Sequence, residues 1–253
     1  MDVHFDCTQC GKCCHGLRLT LSVAEAIAWA ERGHSVQLLT EALPWPGAAD
    51  RSEAQNEHDR KRSFAAFSDQ IAVRIAVVLV AFHEGGCPHL LPTMLCGNYA
   101  DRPRICRIYP LESRPFAALL PGRRLCPPEA WAADGPLLER DGTVVPSETA
   151  DVVAEHRRIA IEDVPALEAA CEALGVSSAA FAHEGLAVHT PDPALLARTL
   201  RMVNDRSESR GSPRNWTIVT NRGETLNLLR GVGCAAALVA RGAGYLGSFP
   251  DDM

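Results

Sequence analysis

Eight of the ten cysteines fall within the first 126 residues, and four share one eight-residue run, Cys7-Thr-Gln-Cys10-Gly-Lys-Cys13-Cys14. The others are Cys87, Cys96, Cys106 and Cys126. Thiols at this density serve as a disulfide framework or, once ionised, as ligands for a soft metal. The two-residue gaps of Cys7-x2-Cys10-x2-Cys13 let successive thiolates wrap one centre, and Gly11 gives the loop access to positive φ. The same triple spacing opens the bacterial ferredoxin pattern, in which a distant Cys-Pro supplies a further ligand. Cys87-Pro88 and Cys126-Pro127 are both Cys-Pro pairs. Zinc sites more often join CxxC to CxxC or recruit histidine, and the group at 87, 96, 106 and 126 has no internal CxxC. Spacing thus favours an iron–sulfur cluster over zinc by a small margin, with one or two centres left open. Adjacent Cys13 and Cys14 are expected to project in different directions. One would join Cys7 and Cys10, while the other serves a second centre or packs nearby.

The rest of the chain argues against disulfides. Its start, Met1-Asp2-Val3-His4-Phe5-Asp6, lacks the basic region and apolar core of a signal peptide, so the expected compartment is the cytosol, where thiols stay reduced. The longest apolar run, Ile71 to Phe82, is interrupted by Arg74 and is too short to span a bilayer, so no membrane is expected. A net charge of −6 gives no reason to expect nucleic acid as a partner. With 47% hydrophobic and 22% charged residues in 253, the chain can bury one large core or two modest ones.

Clustered thiolates leave an excess of negative charge that cations and hydrogen-bond donors must offset. Arg102, Arg104 and Arg107 bracket Cys106, and Arg123 and Arg124 precede Cys126. The competing reading is that these arginines are solvated or paired with carboxylates. His4, His15, His83 and His89 flank cysteines, but with eight thiols available they are expected beside the ligands rather than among them. Tyr99 and Tyr109 are expected to support the metal loops by packing and a hydrogen bond. Cys171 and Cys234 lie in apolar stretches and read as small buried hydrophobes. No P-loop, HExxH, GxSxG or kinase motif is present, and no catalytic residue is singled out.

The elements that position these residues follow from pattern. Ser22-Val-Ala-Glu25 is a capping box opening a helix that Gly33 can end. Residues 44–63 form a polar excursion, partly helical from Glu53. Ile71, Val73, Ile75, Val77 and Leu79 alternate with their neighbours as in a buried strand. The stretch from Cys87 to Pro128 is loop-rich and needs a staple to hold one conformation. Beyond Ser147, helical spacing runs to Gly175, then over 193–203 and 226–240, with a short strand at Thr217–Thr220.

The motif Cys-x2-Cys-Gly-x-Cys-Cys, followed by Cys87 and by Cys96-Gly-Asn-Tyr99-Ala-Asp-Arg102-Pro103-Arg-Ile-Cys106-Arg107-Ile-Tyr109-Pro110, resembles the YkgJ-type CxxCxxCC cysteine-cluster family. That family is described as zinc- or iron-chelating, and the resemblance covers roughly residues 5–128. It implies that Cys7, Cys10, Cys13, Cys14, Cys87, Cys96, Cys106 and Cys126 are the cluster cysteines, with Tyr99, Arg102, Arg107 and Tyr109 supporting them. The expected fold is α+β: a metal-stapled module of short strands and a helix over 1–131, then a mainly helical region over 147–253. The expected function is chelation of an iron–sulfur cluster or zinc. A metal-dependent enzyme acting on a protein or peptide, and a structural zinc module for a protein partner, stand as alternatives.

Overall fold

The computed structural model describes residues 2–16, 18–46, 52–111, 113, 115–205 and 213–251. In chain order, β1 (Asp2–His4), β2 (Leu19–Leu21), α1 (Val23–Glu31), β3 (Val36–Pro44), α2 (Glu53–Lys61), β4 (Ser63–Ser68) and β5 (Ile71–Ala81) precede the cysteine loops. A five-residue α3 (Arg104–Ile108) stands within those loops. There follow β6 (Leu137–Arg140), β7 (Thr143–Val144), α4 (Ser147–Glu162), α5 (Val164–Ala173), β8 (Ser178–Phe181) and β9 (Gly185–His189). The chain closes with α6 (Pro193–Asn204), β10 (Thr217–Thr220), α7 (Gly223–Gly231), β11 (Ala236–Leu238) and β12 (Tyr245–Gly247). Helices and strands are mixed, as an α+β chain requires. Among the described residues, no helix is long and apolar enough to cross a membrane.

Two compact units form, each from two stretches of chain: residues 1–21 with 82–159, and 22–81 with 160–253. All eight clustered cysteines belong to the first. Residues 22–81, expected beside the cysteines, instead group with the C-terminal stretch because β3 pairs with both β8 and β9.

The second unit is built on a sheet in which β11, β10, β8 and β3 run parallel. β5 pairs antiparallel with β3, β4 with β5, β9 with β3 and β12 with β9. The alternation in β5 is realised: Val73, Ile75, Val77 and Leu79 are buried, while Ala72 is exposed and Arg74 half-buried. α1 begins with the predicted capping box, Ser22 Oγ accepting from Glu25 N–H and Glu25 from Ser22 N–H. It buries Val23, Ala26, Ile27, Trp29 and Ala30 and packs on α6, whose Leu196, Ala197, Leu200 and Val203 are buried. α2 carries the polar excursion; its residues 47–51 lie outside the described ones.

Strands appear where the sequence patterns as helix. The helix expected over 226–240 ends at Gly231, Gly233 takes φ 91°, and β11 follows. A left-handed residue cannot continue a right-handed helix, so Gly233 stops α7 just past Gly231 rather than sitting within it. The long C-terminal helix is two, α4 and α5, separated at Asp163, and Gly175 at φ 68° follows α5.

The first unit has a smaller core. β1, β6 and β7 form a three-stranded antiparallel sheet. Ile108, Leu111, Leu119, Leu138 and Val153 cluster with Val3, Phe5 and Trp131 against them.

Candidate metal centre

The knuckle is fixed at its entry. Phe5 N–H donates to Pro136 O and Asp6 N–H to Ala130 O, both at 2.9 Å, and the Phe5 ring lies 4.8 Å from that of Trp131. Gly11 then takes φ 69° and opens a 3-10 turn over Lys12–Cys14, closed by Cys14 N–H donating to Gly11 O at 2.9 Å. The turn needs glycine twice over. The left-handed backbone penalises a side chain, and a Cβ there would meet Met94 Cε at 2.8 Å and Met94 O at 3.0 Å. Met94 and Leu90 thus seat the second cysteine loop on the bare backbone of the first, a contact with no periodic signal in the sequence.

Further bonds bring the remaining cysteines to the knuckle. Cys87 N–H donates to Cys14 O at 2.7 Å, and His15 bridges Gly86. Cys96 bridges Leu90, and Gly97 N–H donates to His89 O at 2.7 Å. Cys106 sits on α3, its N–H donating to Pro103 O at 2.9 Å. Leu125, one residue before Cys126, donates its N–H to Tyr109 Oη at 3.1 Å.

The thiols act on one another. Burial pushes Cys13 up to about 12, and the charges of Cys14, Cys7 and Cys126 add repulsion. Cys106 also rises to about 12, through burial and then Cys13, Cys87, Cys14 and Cys96. Burial leads in raising Cys14, Cys87 and Cys126 as well. Cys14 further feels Cys96, Cys10 and Cys7; Cys87 feels Cys14 and Cys96; Cys126 feels Cys10 and Cys7. Two neighbourhoods emerge, Cys7 with Cys10 and Cys126, and Cys87 with Cys96 and Cys106. Cys13 and Cys14 interact with both.

Several groups oppose this rise. The Tyr109 hydroxyl donates to Cys126, and Arg124 draws the same thiol down. The His89 N–H does so for Cys87. Tyr109 is itself pushed up to about 12 by burial, which keeps its hydroxyl a donor at neutral pH. Arg102 lies 3.9 Å over the half-exposed ring of Tyr99, and Arg107 is exposed on α3.

The expected divergence of Cys13 and Cys14 is not found: the Cys13 thiol donates a hydrogen bond to Cys14. In a 3-10 turn successive side chains are about 120° apart rather than opposed, which leaves adjacent sulfurs within reach. Of the flanking histidines, His4 Nδ1 bonds Gly135 O at 2.7 Å and His15 Nδ1 bonds Gly11 O at 3.1 Å. Both His83 ring nitrogens are shielded from solvent without a hydrogen-bond partner among the described residues. Cys171 and Cys234 are buried, as their apolar surroundings predict.

The donor set is chemically suited to zinc or iron: eight soft sulfurs whose ionised forms repel until a cation compensates them. The structure gathers them in one unit. Among the described residues, it does not bring any three His, Cys, Asp or Glu side chains onto a common point where one ion could be held. No curated protein and no solved structure matches the chain. Residues 6–124 match the model of the CxxCxxCC family, "Putative zinc- or iron-chelating domain". Over those residues, just under half of its length, the chain is similar to the CxxCxxCC family.

Proposed function

We propose that the first unit chelates zinc or iron through Cys7, Cys10, Cys13, Cys14, Cys87, Cys96, Cys106 and Cys126, and that this binding organises its loops. The observation that carries the reading is the gathering of eight thiols from residues 7 to 126 into one unit, where burial and then neighbouring thiols push up Cys13, Cys14, Cys87, Cys106 and Cys126. Crowding that many ionisable sulfurs together, seven of them half-buried, disfavours their charged forms unless a cation binds the thiolates.

The thiols fall into two sets by which acts on which, and metal binding would draw each set onto one centre: Cys7, Cys10 and Cys126, and Cys87, Cys96 and Cys106. Cys13 and Cys14 complete one each. Tyr109 and Arg124 stabilise the charge on Cys126, and the His89 N–H that on Cys87. The triple two-residue spacing and the two Cys-Pro pairs favour iron–sulfur ligation, in which the bound cluster would supply one-electron chemistry. Tyr99 and Arg102, stacked in the loop between Cys96 and Cys106, and Arg107, just past Cys106 on α3, then support that loop and add positive charge beside its thiolates.

Anaerobic purification followed by elemental analysis and a visible spectrum tests this. Iron with acid-labile sulfide and a brown colour is the expected result. Colourless protein with one or two zincs per chain would replace the cluster by a structural zinc staple. Folded, metal-free protein with ten free thiols would refute chelation altogether.

A further inference from the structure

We propose that the second unit holds a binding site for a hydrophobic ammonium ligand, an alkyl or aryl group ending in a protonated nitrogen, with the buried carboxylate of Glu184 as its counter-ion. The site lies wholly outside the cysteine unit and does not rest on the metal reading.

A cavity of about 580 Å³ opens in this unit, within the range that encloses small organic molecules. It runs along α7 and reaches Phe181, the last residue of β8, and Arg222, just past the end of β10, so one end opens where α/β sheets keep their ligand sites. Ile71, Val73, Ile218 and Leu229 form apolar walls. Leu228 and Val232, 65% and 62% exposed, form an apolar rim with Trp45.

Into this apolar space faces one buried charge. Glu184 is 8% exposed. Its Oε2 accepts from Thr220 Oγ1 and its Oε1 from Thr225 Oγ1, each at 2.6 Å. Arg222 forms an ion pair with Glu184, Nη1 to Oε1 at 3.6 Å, and another with Glu224 at the mouth, Nη2 to Oε2 at 3.6 Å, both longer than a hydrogen bond. The polar wall therefore carries two carboxylates to one guanidinium. A carboxylate accepts at about four lone-pair sites, so the two threonines leave capacity for another donor.

The plainer role for Glu184 is to fasten the start of α7 through its threonines. A neutral acceptor would fasten it without the cost of burying a charge, and fastening needs no open cavity. A ligand ammonium supplies the hydrogen-bonded cation that Arg222 does not. The apolar walls and rim then take its hydrocarbon body.

The test uses the full-length, metal-loaded protein and three matched probes: 2-phenylethylammonium, 2-phenylethanol and 3-phenylpropionate. Calorimetry with saturation-transfer NMR should show the ammonium binding about ten- to a hundredfold tighter than the alcohol, the worth of one charge-assisted hydrogen bond. The carboxylate should not bind. Glu184→Gln should abolish the preference, and Val232→Trp, at an exposed rim position that folding tolerates, should block all three. Equal binding of ammonium and alcohol, preference for the carboxylate, no binding of any probe, or ammonium binding indifferent to Val232→Trp would each overturn the proposal.

Discussion

In the second unit β3 pairs with β5 along all nine of its residues, and Val36, Leu38, Ile75 and Leu79 beneath that ladder are essentially inaccessible to water. In the first unit the described residues from Phe82 to Trp131 hold one five-residue helix, two 3-10 turns and two isolated bridges at the cysteines. Leu91, Met94, Leu95, Leu120 and Leu125 stand exposed along it. The one unit is fixed by apolar burial, which scales with area. The other has too little buried area in its loops for that and concentrates thiols instead. Where a core cannot hold a loop, ligands can, and then stability becomes conditional on what they bind.

Removing the ligand should therefore separate the units most sharply. Chelation under reducing conditions should make trypsin cleave rapidly at Arg104, Arg107, Arg123 or Arg124, while Arg74 in β5 stays resistant. Retained resistance in both regions would erase the contrast. Single cysteines should divide the same way: Cys106→Ala lowers metal content, whereas Cys171→Ala leaves it unchanged, as measured by elemental analysis per chain.

Protons compete with the metal. Cys13 and Cys106, pushed up to about 12, are neutral thiols at pH 7, so each must lose a proton to ligate. Metal affinity should rise with pH, by about tenfold per unit for each proton released, and fall toward acid. A flat profile between pH 6 and 8 would mean that these thiols are not ligands.

Smaller effects belong to the second unit. Ile75→Ala should cost about 2–5 kcal/mol in denaturant unfolding without altering metal content. Ser22→Ala, which removes one half of the α1 capping box, should cost about 1 kcal/mol.

Much of this contrast is written in the residues. The cysteine positions, the turn at Gly11, the capping box at Ser22 and the alternation of β5 each express a local rule. The Glu184 site left no such trace. Its Thr220 and Thr225 read only as polar residues after a short strand, and Glu184 joins them through a turn more than thirty residues earlier in the chain. β8 and β11 are short and rich in alanine and β9 is only five residues long, so pattern alone could not separate them from helix. The neighbourhoods of the thiols were hidden for a related reason: Met94 on Gly11 and Cys87 on Cys14 are loop contacts that spacing does not encode. The sharing of residues 22–81 with the C-terminal stretch is likewise set by strand pairing between distant segments.

Hydrogen exchange on the full chain, measured by mass spectrometry before and after metal removal, puts the central contrast to the most direct test. Protection in the first unit should collapse around Cys14, Cys87 and Cys106 while β3 and β5 keep theirs. Full protection of the cysteine loops in verified metal-free protein would contradict the account.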